Sequence, residues 1–190
     1  MVEIRQTPMG GDIKDFLNVV DDIYKGDPRY IRPLNMDVGD RLNPKKNPFF
    51  EHAEGVIFTA YKNGRCVGRA TAQVDREHIE RYKDGTGFFG FLDTVDDADV
   101  TAELLGRAET WLRERGMKRV RGPLSLSMNE EIGTLIEGFD SAPVLMYPHH
   151  RPYQGGLIEK AGYEKVKDVY SWRYEVGEVN ARVKKAREEV

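Results

Sequence analysis

A chain of 190 residues with 39% hydrophobic and 32% charged residues is long enough for one domain that buries its own core without staples. Interspersed charges and a net charge of −3 exclude disorder, a membrane span and the basic footprint of a nucleic-acid binder, so neither nucleic acid nor membrane is an expected partner. Cys66 stands alone, which excludes an internal disulfide or a multi-cysteine metal cluster and fits a reducing cytoplasm, and no apolar signal-peptide stretch opens the chain.

Residues Val2 to Thr7 alternate as a short strand. Beyond Gly10-Gly11, the spacing of Ile13, Phe16, Leu17, Val20, Ile23 and Tyr24 predicts a helix, with Asp12 as N-cap and Gly26 as stop. The Pro-punctuated run Asp27 to Phe50 reads as a long connection with one short helix around Asp37 to Leu42, its aromatic residues pinning it to the core or meeting a ligand. GVIFTAYK-NG-RCVGRATAQVD is a hairpin, because Asn63-Gly64 supplies the positive φ angles of a type I′ turn. EHIERYKDGTG reads as a polar connection to a central, buried strand, GFFGFLD.

From about Asp99 to Arg115, Val100, Leu104, Leu105, Ala108, Trp111 and Leu112 form the apolar stripe of a helix ended by Gly116. MKRVRG then follows as a brief strand, which a helix-sized crossover lets lie parallel to GFFGFLD. Gly122 to His150 is too long and too rich in Gly, Pro, Ser and Asn for an ordinary connection, and reads as a functional loop or lid. A short helix is expected from Pro152 to Ala161, a last strand or pair of strands from Tyr163 to Val176, and the start of a helix in residues 179–190. The domain is placed at residues 1–178, with that last helix read as a link to a further domain or as a frayed C-terminus.

The order helix, hairpin, central strand, helix, strand, helix, final strands resembles the GNAT fold, a mixed α/β sheet flanked by helices, over nearly the whole chain. The phrases NPFFEHAE, GFFGF-D-DD, WLRERG, GP-S-S-NEEIG, GFD-P-M and GYEKVKDVYSW resemble a bacterial GNAT-like family of longer proteins with a second such domain. The resemblance implies a V-shaped opening between two parallel central strands, here Gly87 to Asp93 and Lys118 to Arg121. An acyl-CoA such as acetyl-CoA would bind there and pass its acyl group to a small amine. It also implies donor contacts from Leu92, Thr94, Val95 and Thr101, and a second GNAT-like domain or another copy of the chain as partner.

Other expectations attach to single residues. Aligned on Leu104-Leu105, the family's pyrophosphate-binding positions hold Asp96, Asp99 and Thr101, acids where phosphates should sit; Asp is equally at home in a first helical turn. Tyr153 is suited to returning a proton to a leaving thiolate, or to packing and capping. Asp93 stands where the family sometimes keeps a carboxylate that deprotonates the amine through water; a solvated loop acid is the alternative. Asn129, Glu130 and Glu131 leave the second strand where an acceptor would approach, and their acidity suits an amine, although a plain turn into a helix start reads as well. His149, beside His150, is a candidate acceptor contact able to take a proton near neutrality, and no metal site is expected. Gly85 to Gly90 matches G-x-G-x-x-G but runs into a strand rather than a helix, so it is no dinucleotide fingerprint.

Overall fold

The computed structural model describes residues 1–172 together with Gly177 and Lys185. Its sheet runs β1 (Glu3–Pro8), β2 (Ala53–Lys62), β3 (Arg65–Asp75), β4 (Thr86–Thr94), β5 (Arg119–Arg121), in chain order from one edge to the other. The first three pairings are antiparallel and β4 with β5 is parallel, as the intervening helix requires. Asn63 and Gly64 turn the β2–β3 hairpin at φ of 53° and 76°, the values a type I′ turn needs.

Within residues 1–172 five α-helices flank the sheet: α1 (Lys14–Ile23), α2 (Asn35–Arg41), α3 (Arg76–Tyr82), α4 (Ala98–Glu114) and α5 (Gln154–Lys160). Alternation along β2 sends Val56, Phe58 and Ala60 to the face covered by α4, and Ile57 to the face where Phe16 of α1 and Val38 of α2 pack. On α4, Val100, Leu104, Leu105, Ala108, Trp111 and Leu112 are all buried, and each large side chain contributes roughly 1.5–3 kcal/mol by leaving water.

Three expectations change. Asp12 does not cap α1 from the N-cap position, which Ile13 holds, but its carboxylate still accepts the Lys14 N–H at 3.1 Å. The polar segment after β3 is helical, because the Asp75 carboxylate accepts the backbone N–H groups of Glu77 and His78 and starts α3. The strand expected from Tyr163 does not form over residues 163–172, where Val166, Val169, Tyr170 and Trp172 are exposed. Alternation alone makes no strand when no edge accepts it: β5 is three residues long and pairs only with β4 among the described residues. The rest of that expected strand and nearly all of residues 179–190 lie outside the described residues.

Candidate active site at the parting of two parallel strands

Pairing between β4 and β5 covers only Thr86↔Arg119, Gly87↔Val120 and Phe88↔Arg121, after which the strands part. The segment following Gly122 takes over the edge of β4. Leu124 N–H donates to the Phe89 carbonyl at 2.7 Å, Phe91 N–H donates to Ser125 Oγ at 3.2 Å, and Gln73 Nε2 donates to the Leu124 carbonyl at 2.5 Å. Gly90 makes that approach possible, since a Cβ there would stand 2.1 Å from the Leu124 oxygen.

A bulge then re-aims the end of β4. Thr71 pairs with Gly90 and Arg69 with Asp93, so that Phe91, at φ +46°, and Leu92 together face the single position between them on β3. Phe89 lies in the α4-side core, Phe91 in the α1 and α2 core, and Leu92 again on the α4 side. Without the extra residue Asp93 would share the face of Phe89; with it, Asp93 points toward α1.

There Asp93 sits in a buried polar network. Arg69 places both Nε and a terminal nitrogen 2.8 Å from one Asp93 oxygen and donates to the Phe16 carbonyl at 3.1 Å. The other oxygen accepts the Tyr24 hydroxyl, which also reaches the His149 carbonyl at 2.9 Å. Burial works against the Arg69 cation, yet the Asp93 charge and hydrogen bonds outweigh it and raise its pKa; burial, with Asp93 beside it, pushes the Tyr24 phenol far above its ordinary value. Tyr30 stacks on Tyr24 with ring centroids 3.9 Å apart. His149 Nε2 lies 2.9 Å from Asp27, whose carboxyl is held below its usual value by that hydrogen bond, and Arg151 stands 3.6 Å from the same oxygen. Together Tyr24, Tyr30, Asp93, Ser125, His149 and His150 line a cavity of about 70 Å³, room for a small headgroup or two waters.

The sequence-predicted residues fall in three places. Asp93, His149, Leu92 and Glu131 all line the cavity. Tyr153 opens α5 and donates its hydroxyl to the Thr94 carbonyl at 2.9 Å, one residue beyond Asp93; burial raises its pKa, so it keeps its proton at neutral pH. Thr94 and Thr101 are fully buried, their hydroxyls hydrogen-bonded to each other at 2.9 Å; Leu92 is buried among the α4-side core residues at the cavity wall, and Val95 packs partly buried against the same core. Glu130 and Glu131 are not free acids awaiting an amine: both pair with Arg41, at 2.6 Å and 3.2 Å. Burial nevertheless raises the Glu130 pKa. Asn129 is exposed on the same turn.

The acidic loop is closed from within. Asp97 caps α4, its carboxylate accepting the N–H groups of Asp99 at 3.0 Å and Val100 at 3.4 Å, while Lys62 holds its other oxygen and lowers its pKa. The amides that would cradle a pyrophosphate are thus already engaged by this chain's own anion. Cys66, half-buried, has its thiol pushed up to about 11 by burial, which suits an inert side chain. Among the described residues no group of three or more metal-ligating side chains could hold an ion, and no helix is long and apolar enough to cross a membrane.

Sequence reasoning missed Tyr24, Asp27, Arg69 and Arg41. Arg69 left a signal, a lone cation in the apolar run of β3; Tyr24 closes the apolar stripe of α1 and is indistinguishable there from a core residue. His150 is buried, accepts the Leu135 N–H at Nδ1, and has its pKa lowered by burial. Its contribution to stability is complete above the ordinary histidine value of 6.5 and is lost as pH falls through the lowered one, because the unfolded chain takes up a proton first. The melting temperature should therefore fall between about pH 7 and pH 5 in thermal scans, and His150→Asn should flatten that slope.

No protein-family model matches the chain. It is 43% identical over 161 residues to Protein YghO of Escherichia coli strain K12, with 85% of this chain and 41% of that protein covered. It is 40% identical over 165 residues to the bacterial ceramide synthase of Caulobacter vibrioides, with 85% and 42% covered. The chain thus spans about two fifths of the length of the curated relatives it matches. Solved acetyltransferases share its fold, among them a predicted acetyltransferase with acetyl-CoA from Clostridium acetobutylicum, at a TM-score of 0.51 and 14% identity over 91% of this chain and 96% of that one. With its parallel β4 and β5 parting at a bulged central strand, the chain has the GNAT acyltransferase fold, in a form whose sequence is shared with Protein YghO and bacterial ceramide synthase.

Proposed function

We propose that this domain belongs to an N-acyltransferase that joins a fatty acyl group from a thioester to a long-chain amine. The observation that carries the reading is His149, paired with Asp27, in the wall of a cavity that Asp93 also lines, with the Tyr153 hydroxyl on the carbonyl of the next β4 residue, Thr94. Hydrogen-bonded to Asp27 through Nε2, His149 keeps Nδ1 as proton acceptor. The amine nitrogen attacks the thioester carbon and gives its proton to His149; the carbon–sulfur bond breaks, and Tyr153 protonates the departing thiolate. The long chain follows from the bacterial ceramide synthase, since a ceramide is a fatty amide of a long-chain amino alcohol.

One observation favours a second reading, a ligand-binding module without catalysis: the α4 amides are occupied by Asp97. Calorimetric titration with acetyl-CoA and palmitoyl-CoA separates the two. Under the enzyme reading saturable heat is expected from one of them, and Asp97→Ala should tighten binding while costing about 1 kcal/mol of stability through the lost cap. No heat from either donor at millimolar concentration, in the chain or the variant, would leave the module.

A further inference from the structure

We infer that His150 and Ser125 form a cradle for the acyl carbonyl oxygen, donating hydrogen bonds to the negative charge it takes on when the amine attacks. Both line the cavity beside Asp93 and His149, and both are more than nine-tenths buried, at 7% and 5% exposed. Each carries a donor that no acceptor among the described residues takes up. Buried donors are nearly always paired, so two left over in one small cavity call for an acceptor that enters it.

The contacts around them fix both donors. The Leu135 N–H donates to His150 Nδ1 at 3.1 Å, so Nδ1 is an acceptor and the ring proton sits on Nε2. Burial lowers the His150 pKa, which keeps the ring a neutral donor at neutral pH. Ser125 Oγ accepts the Phe91 N–H at 3.2 Å; this pins the oxygen beside β4 and leaves the hydroxyl proton to turn toward an acceptor. One stretch of loop holds the two side chains together. Ser125 N–H donates to the Glu131 carbonyl and Gly133 N–H to the Pro123 carbonyl, both at 2.9 Å, and Leu135, two residues on, orients His150. The neighbouring polar side chains are engaged by the chain itself: Arg69 and Tyr24 with Asp93, Glu131 with Arg41, His149 with Asp27. Tyr30, only partly buried, adds a third hydroxyl without an acceptor among the described residues, but its proton can turn to water.

The adjacent histidines then divide the reaction. His149 offers the Nδ1 lone pair to the amine proton, while His150 offers the Nε2 proton to the acyl oxygen as a hydrogen bond, without transfer. As the amine nitrogen bonds to the thioester carbon, the carbonyl π pair moves onto oxygen; when that pair returns, the carbon–sulfur bond breaks and the thiolate leaves. Donors in place before the charge appears stabilise it without reorganisation. This role rests on the proposed acyl transfer.

The test is acylation of hexylamine by acetyl-CoA or palmitoyl-CoA with the 190-residue chain, together with difference infrared spectra of the bound donor carrying a carbon-13-labelled carbonyl. His150→Asn keeps an oxygen for the Leu135 N–H but is too short to replace the Nε2 donor; Ser125→Ala removes the hydroxyl. Each should lower kcat about 10²-fold with KM for the donor nearly unchanged, and should move the carbonyl stretch to higher wavenumber. Circular dichroism melts certify the folds, and if His150→Asn does not fold, Ser125→Ala decides. Variants within about threefold of the parental kcat, or a stretch that neither variant moves, overturn the cradle, while turnover by the parent keeps the acyltransferase reading. If the parent acylates no amine but the variants still shift the bound carbonyl, the acyltransferase reading fails and the cradle stands as a carbonyl-binding site. A chain that binds neither donor removes both.

Discussion

Asp93→Ala should destabilise the domain by about 3–5 kcal/mol in equilibrium urea unfolding, the largest effect of any single change at the site. Its removal leaves the Arg69 guanidinium buried with the Phe16 carbonyl as its remaining hydrogen-bond acceptor, and deprives the Tyr24 hydroxyl of its carboxylate. Arg69→Met should cost a comparable amount by leaving a buried carboxylate without its cation. The cycle is the decisive part. Arg69→Met combined with Asp93→Ala should lose much less than the two single losses added together, because no uncompensated charge remains. Additive losses would mean that the two residues are not coupled as their 2.8 Å contact implies. The pair therefore serves position more than net stability: it holds the end of β4 turned toward α1.

His149→Gln should lower kcat/KM for amine acylation by about 10²–10⁴-fold while leaving the fold intact. The glutamine can still hydrogen-bond Asp27 but cannot take a proton. Asp27→Asn should lose part of the same factor, since it keeps the ring oriented but no longer supports the imidazolium. The activity left in the His149→Gln variant should climb with pH as free amine replaces ammonium in solution. More than a tenth of the parental rate at neutral pH would remove His149 from the role of base.

Much of this arrangement was legible beforehand because it rests on local rules. Asn63-Gly64 specifies the hairpin, the stripe from Val100 to Leu112 specifies α4, and a helix between two strands specifies their parallel pairing. The site was half legible. Asp93 and His149 stood out as polar groups at the edges of apolar or loop segments, but their partners Arg69, Tyr24 and Asp27 come from separate elements, and only the fold brings them together. The bulge at Phe91 and Leu92 could not be read, since neither residue advertises a register shift, yet it decides which way Asp93 points. Glu130 and Glu131 looked like free acids because Arg41, about ninety positions earlier, shows no mark of its destination. Asp97 was overlooked for its neighbours Asp96 and Asp99; an N-cap is decided by backbone geometry, and three acids within four positions leave the choice open.

The loop after β5 divides sharply in two. Its inner part is stitched to β4 through Leu124 and Ser125, closed on itself by the Leu124↔Ile132 bridge and the Gly133 N–H to Pro123 carbonyl bond, and clamped by Arg41. Its outer part, from Gly138 to Tyr147, is largely exposed. The consequence is one of timescale. The wall beside Asp93 opens only by breaking hydrogen bonds to β4, so it holds its shape longer than the outer part. The outer part, largely exposed, rearranges faster, so under the proposed acyltransferase reading substrate entry and departure belong to that part and not to Asp93 and its partners.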